Sequence, residues 1–503
     1  MDYIFFIIFS LISLRLAYNA VNTLQINGYS IGKTFRDIFC AKHYAVYTAA
    51  GLLLTLMQVF LGCYIIICSA YFLLTVLYII FFQKRFTKAP LVFTNRVKRL
   101  IVFCILSYFG ILFLSRHYIV LVASLFYLIL LVAAGIISVF ENANNRRYIA
   151  KARKVFESRP DLISIGITGS YGKTGVKNIL YEMLKKSFNV VKTAASYNTP
   201  LGIAIASKDI DTDTQVFIAE MGARHIGDIE ELCDIVKPKY GIITGIAEQH
   251  LETFKSIDNI INTKLELYCY VAKANGVCVF NTDNDMLAKK AKHLKYRSII
   301  TSKSNEGADI YAYDIIADAA GSSFKLKIKE GIFEISTILL GRSNISNIAA
   351  AAALASRLGI SGDNIAEAVR LLGPVEHRLQ LIGSGDIIII DDTYNSNPLG
   401  AAVALDVLKM FPGRKVVVTC GFAEAGNEAV RLNRELGLAI ADAADIAILI
   451  GRNSSWIKDG LEDKGLTNIK QYPTLKEAKK HFSELFISGD VILMENDMPD
   501  NLE

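Results

Sequence analysis

The sequence predicts an α-helical membrane domain followed by α/β domains, and three observations carry that expectation. Residues 1–140 contain only two acids, Asp2 and Asp37, while nearly all other carboxylates lie further on. From Ala45 to Phe82 no residue is charged. Beyond residue 150, apolar runs of strand length alternate with segments of helical spacing, the pattern of α/β folds. A chain of 503 residues exceeds one hydrophobic core and divides into about three domains. The boundaries are placed at 1–150, 151–372 and 373–503.

The first block is read span by span. Continued as one helix, Ala45–Phe82 would measure about 55 Å, against a hydrocarbon core of about 30 Å. Two spans turning near Gly62-Cys63 are therefore expected. A second hairpin, 100–115 and 118–140, would turn at Arg116-His117, and Tyr3–Tyr18 is a further candidate, for about five transmembrane helices in all. Lys84, Arg85, Lys88, Arg96, Lys98 and Arg99 crowd one loop. Arg146, Arg147, Lys151, Arg153 and Lys154 follow the last apolar run. Lysine and arginine bias places both in the cytoplasm, and the rest of the chain with them. This basic balance suits anionic lipid or pyrophosphate groups, not nucleic acid. The 8 cysteines are scattered, with no CxxC pair, which excludes a zinc ribbon and a disulfide framework.

Residues 162–168 read as a buried strand, and Gly169-Ser-Tyr-Gly-Lys-Thr174 follows at once. Val176, Ile179, Leu180, Met183 and Leu184 then recur at helical spacing. Strand, glycine turn and helix make an anion site: backbone N–H groups face phosphate, Lys173 adds a cation, and the Thr174 hydroxyl can ligate Mg²⁺. Further strands are expected at 215–219, 241–244 and 277–280, and later at 386–391, 415–420, 445–450 and 490–495.

Thr168-Gly-Ser-Tyr-Gly-Lys-Thr174 resembles the TGTNGKT loop of the Mur ligase family, with Tyr171 replacing the common asparagine or serine. The resemblance continues in order. Thr193–Gly202 looks like the loop near metal and substrate, with Ser196, Asn198 and Thr199 as substrate candidates. Phe217–Gly222 resembles the strand ending in a Mg²⁺-binding glutamate, here Glu220. Glu248–Glu252 matches the segment of a metal-ligating histidine, here His250, and Thr263–Glu266 that of a carbamylated lysine, here Lys264. Gly341–Asn347 is similar to GxHNxxN with Ser343 in place of histidine, so Asn344 and Asn347 would touch the nucleotide. His377-Arg378 and Asp391–Pro398 complete the set, the latter most like the MurF type of the family.

The resemblance implies a central P-loop ATPase domain at 151–372 and a Rossmann-like C-terminal domain at 373–503. It also implies an ATP-dependent ligase joining a carboxylate to an amine through an acyl phosphate. ATP would rest on Gly169, Ser170, Gly172, Lys173, Thr174, Asn344 and Asn347, with Arg378 at the phosphates and Asp392 at the ribose. Thr174, Glu220 and His250 would hold Mg²⁺; Lys173, His250 and Lys264 would be catalytic; Tyr394, Asn395 and Asn397 would hold the amine. Such chemistry is mainly positioning and charge neutralisation.

The expected reaction adds D-alanyl-D-alanine, or a similar amine, to a cell-wall precursor peptide. The apolar block stands where MurF-type enzymes carry a UDP-sugar domain, so a lipid-linked as well as a UDP-linked acceptor is expected. The expected place is a bacterial cell membrane, with the bilayer as partner and the catalytic domains in the cytoplasm. A ligase of another envelope or capsule polymer is the nearest alternative. An ATP-driven transporter is a third, although no span carries an acid to serve as a coupling site.

Overall fold

In a computed structural model the chain divides into two compact units, residues 1–146 and 147–498. The structure describes residues 2–39, 42–82, 91–114, 118–195, 197–248, 251–293, 298–302, 307–384, 386–394, 397–422 and 425–495.

The first unit is helical: α1 (Asp2–Ile26), α2 (Ile31–Phe39), α3 (Lys42–Leu61), α4 (Tyr64–Phe82), α5 (Asn95–Leu114), α6 (Ile119–Ser124) and the start of α7 (Phe126–Ser158). The turn between α3 and α4 falls at Gly62, whose φ of +65° suits glycine, as the apolar run required. The expectation of about five spans is corrected. Among the described residues two helices are long and apolar enough to cross a membrane, Tyr64–Phe81 within α4 and Phe126–Ser158. In α3 the described apolar part is Val46–Leu61. Helix α5 opens on Asn95, Arg96, Lys98 and Arg99.

Part of this apolar block is core, while most of the apolar stretches of α4 and α7 stay unburied, with Ile66, Phe81 and Phe140 among the uncovered side chains. Leu16, Tyr44, Tyr71 and Leu130 are fully buried. The Tyr71 hydroxyl donates to Tyr47 at 2.7 Å, and Tyr47 stacks on Tyr78 with centroids 4.5 Å apart. Asn22 and Thr34 are buried as well, and Arg99 clasps Glu141 through two bonds of 2.6 and 2.9 Å. The basic residues at 83–90 and the turn at Arg116-His117 lie outside the described residues.

The second unit opens on a nine-stranded sheet with order β2-β3-β1-β4-β5-β6-β7-β8-β9. Its strands are β1 (Ile163–Thr168), β2 (Val190–Lys192), β3 (Val216–Glu220), β4 (Tyr240–Ile243), β5 (Val277–Asn281), β6 (Ser298–Ser302), β7 (Ile310–Asp318), β8 (Gly321–Ile328) and β9 (Gly331–Thr337). The first seven run parallel; β8 then pairs antiparallel with β7, and β9 antiparallel with β8. Side chains alternate across the sheet. Ile165, Ile167 and Ile218 enter one core with α8 (Lys173–Leu184), α14 (Arg342–Arg357) and α15 (Gly362–Arg370). Phe217 and Ala219 enter the other with α9 (Pro200–Ala206), α10 (Asp228–Val236) and α12 (Ile257–Lys273). Two short helices, α11 (Leu251–Phe254) and α13 (Asp285–Ala291), complete this region. In α14 every residue from Ile345 to Ala355 is buried, including five consecutive alanines, Ala349–Ala353.

A six-stranded sheet follows, ordered β10-β11-β15-β12-β13-β14. It comprises β10 (Gln380–Ser384), β11 (Ile387–Asp392), β12 (Lys415–Thr419), β13 (Ile446–Ile450), β14 (Ile469–Tyr472) and β15 (Val491–Glu495). All pairs but β10–β11 are parallel. Helices α16 (Pro398–Lys409), α17 (Ala429–Ala441), α18 (Ser454–Asp463) and α19 (Leu475–Leu485) cover it. Both sheets end their parallel strands in loops that carry the site residues below, where open α/β folds bind ligands.

Candidate functional site

The phosphate loop forms because β1 ends in a turn that only glycine can make. A Cβ on Gly169, at φ +154°, would collide with the Thr244 hydroxyl. Gly172 caps α8 at φ +78°, where a Cβ would come within 2.8 Å of Asn347 Oδ1. Ser170 anchors the loop, its N–H donating to Gly245 O at 2.7 Å and its hydroxyl to Ala247 O at 3.2 Å. Lys173 folds back so that Nζ donates to Gly169 O at 2.8 Å. Burial, with Arg378 adding repulsion against the pull of Glu220, pushes its ammonium down to about 8.

Register brings Glu220 to the loop: β3 pairs with β1 so that Glu220 stands opposite Ile167. Its carboxylate is buried and accepts three bonds. Thr174 Oγ1 and Lys177 Nζ donate to Oε2 at 3.0 and 2.9 Å, and Asn198 Nδ2 to Oε1 at 3.2 Å. A hydroxyl beside a carboxylate is the hard-oxygen pair that Mg²⁺ takes alongside phosphate oxygens, so these residues fit the metal. Among the described residues no group of three or more His, Cys, Asp or Glu could hold a metal ion. His250, Ser196 and Asn395 lie outside the described residues.

Lys264 is buried midway along α12 with Nζ 6.0 Å from the Phe254 ring centroid. Burial, and then the charge of Lys173, lower its pKa to about 7.

Beyond the loop opens a cavity of about 420 Å³, lined by Gly172, Asn344 and Asn347 from one sheet region and by Arg378, Asp392, Tyr394 and Asn397 from the other. Asn344 Nδ2 donates to Leu340 O at 2.8 Å, and Asn347 Nδ2 to Asn344 Oδ1 at 3.3 Å. Arg378 lies 4.6 Å from the Tyr394 ring centroid. It sits between two residues with left-handed backbone, His377 at φ 60° and Leu379 at φ 45°. That strain is held by His377 Nδ1 to Asp391 at 2.8 Å and by Leu379 N–H to Asp392 Oδ1 at 3.2 Å. Burial raises Asp392 to about 6.

Two expected substrate residues turn out to be helix caps. Thr199 Oγ1 accepts from Gly202 N–H at 3.3 Å, and Asn397 Oδ1 from Gly400 N–H at 3.0 Å. Each precedes a proline at the first helical position, Pro200 and Pro398. Two site residues went unforeseen. Lys177 follows Thr174 by three positions, so helical spacing alone put both on one face. Asp283 lies within the polar run after β5, accepts from Ser346 and Ser302 at 2.6 and 2.8 Å, and lines the cavity.

A glycine loop between strand and helix, opening on a cavity closed by a second α/β sheet, is the anion-binding architecture of nucleotide-handling α/β proteins. Residues 167–355 match the Mur ligase middle domain, and residues 377–495 match the Mur ligase, glutamate ligase domain. The chain therefore carries the middle and glutamate ligase domains of the Mur ligase family, whose members are ATP-dependent, amide-bond-forming ligases that use Mg²⁺.

It is 32% identical over 277 residues to the UDP-N-acetylmuramoyl-tripeptide–D-alanyl-D-alanine ligase of Buchnera aphidicola, a match over 55% of this chain and 60% of the relative. The chain thus spans about 60% of that curated relative's length. A crystal structure of MurF from Acinetobacter baumannii superposes with TM-score 0.66 at 26% identity, over 71% of this chain and 78% of the other. MurF from Thermotoga maritima in complex with ADP gives TM-score 0.63 at 25% identity, over 70% and 80%. These likenesses to MurF-type ligases, with two apolar helices of spanning length among the described residues, overturn the expected multi-pass membrane localisation.

Proposed function

We propose that this chain is a MurF-type ligase that joins D-alanyl-D-alanine to a UDP-N-acetylmuramoyl tripeptide with ATP. The observation that carries the reading is the convergence of Lys173, Thr174 and Glu220 on a glycine loop whose Gly172, like Gly175 beyond it, lines one cavity together with Arg378 and Asp392. The Mur ligase matches and the MurF relatives support the same assignment. In this reading residues 151–372 bind the nucleotide and 373–503 close over it.

The tripeptide carboxylate attacks the γ-phosphorus and ADP leaves. The amine nitrogen then attacks the acyl carbon, phosphate departs, and the amine gives up a proton. Backbone N–H groups of 169–174 and the Lys173 ammonium hold the phosphates; Asn344 and Asn347 position the nucleotide; Arg378 and Asp392 reach phosphate and ribose. Thr174 and Glu220, with His250, would hold Mg²⁺, which supplies charge neutralisation at the transferring phosphoryl group. A lysine held near pH 7 is partly a free amine, the form that CO₂ carbamylates, and this supports a carbamylated Lys264. Ser196, Asn198, Tyr394 and Asn395 are assigned to substrate; Thr199 and Asn397 shape their loops as caps.

The test is phosphate release by the full chain with ATP, Mg²⁺, D-alanyl-D-alanine and the UDP-linked tripeptide. Release should require both substrates and vanish in Lys173→Ala. Release with neither required, or none at all, rejects the assignment.

A further inference from the structure

Lys177 is one of the largest fully buried side chains in the protein, and it is a charged one. Its Nζ lies 2.9 Å from Glu220 Oε2, with the two side chains only 1% and 2% exposed. It also donates to Ala195 O in a close contact, and Ala195 has the left-handed φ of 39°. The lysine thus joins helix α8, the carboxylate at the end of β3, and the loop that leads to Asn198 and Thr199.

We infer that Lys177 is the resident counter-cation of Glu220, and that a divalent cation must displace it from Oε2 to bind. This rests on the reading of Glu220 as a metal ligand. A carboxylate offers about four lone-pair sites. Thr174, Lys177 and Asn198 already fill three of them. A metal arriving at Oε2 meets an ammonium at hydrogen-bond distance, in a place where solvent screens little. Without either cation, Glu220 would be a buried charge compensated only through the field of the Lys173 ammonium, which folded proteins tolerate poorly. The lysine therefore occupies the charge position of the metal in the metal-free protein. When it is displaced, its ammonium retains the Ala195 carbonyl, so arrival of the metal is felt in the loop backbone at Ala195. Metal affinity and loop position become one equilibrium.

The experiment is Mn²⁺ binding to the full chain without nucleotide, followed by the electron paramagnetic resonance of free Mn²⁺. Lys177→Met should tighten binding by about tenfold or more relative to wild type. Lys177→Arg, which keeps the charge, should not, and adding Glu220→Gln to Lys177→Met should abolish the gain. Unchanged or weaker binding in Lys177→Met overturns the inference, because the metal then takes Oε1 from Asn198 and leaves the lysine in place. If Lys177→Met folds only with Mn²⁺, the metal has replaced the lysine and the inference stands. If it fails to fold even with Mn²⁺, the metal cannot substitute for the lysine and the inference falls. Absence of Mn²⁺ binding in the wild type removes the metal reading and this inference with it. The ligase assignment is scored separately, by phosphate release.

Discussion

Lys264 has an ammonium whose pKa burial has brought down to about 7, so the group changes charge within the working range of an enzyme. CO₂ reacts with the neutral amine alone. Below about pH 7 the site holds an ammonium; above it, increasing free amine. Ligase activity should therefore fall as pH drops through about 7 and be partly restored by added bicarbonate. Lys264→Ala should lose both the activity and the bicarbonate response, and ¹³C-bicarbonate NMR should lose its carbamate signal. Asp392, raised to about 6 by burial, has its consequence in the same direction: it is a charged acceptor above that pH and a neutral acid below it. ADP affinity should weaken as pH falls through about 6, with Asp392→Asn weak throughout and flatter with pH; an unchanged profile in the variant would remove Asp392 from the nucleotide. These residues were legible because their chemistry is written in contiguous motifs. Lys177 was not, because its partner Glu220 is 43 positions away and only the register of β1 against β3 brings them together.

At the scale of elements, two loops end in the same device, an Oγ1 or Oδ1 cap followed by proline, at Thr199 and at Asn397. Loss of such a cap typically costs about 1 kcal/mol. Thr199→Ala should lower the unfolding temperature by a few degrees, and Thr199→Ser should recover it. An acceptor KM that rises in Thr199→Ala without loss of stability would instead return Thr199 to the substrate. Several buried strands were legible almost to the residue: the expected 277–280 is Val277–Asn281, and the expected 415–420 is Lys415–Thr419. Each is an apolar run bounded by polar residues, buried on both faces as parallel strands are. The antiparallel β7–β9 was missed for the opposite reason. Its half-exposed strands alternate buried Ala312 and Phe324 with charged Asp314 and Lys325, so no continuous apolar run announces them.

At the scale of the molecule, composition said least where it was most uniform. In the first 146 residues tyrosines, asparagines and a Glu141–Arg99 pair build a packed helical interior, while α4 and α7 leave most of their apolar stretches unburied; apolar content alone does not tell which face of a helix is buried. Because a ligand stabilises only what it binds, ADP with Mg²⁺ should slow hydrogen exchange within residues 147–498 and leave the amides of 2–39 unchanged. Helix α14 has a further consequence. With Ile345 through Ala355 buried on every side, it has no face on which mutations can accumulate harmlessly. The alanines at 349–353 admit nothing larger without overpacking and nothing smaller without loss of helix propensity. Under neutral drift the surface of this protein can wander while that stretch stands still, a fossil imprint of the fold carried inside its own centre.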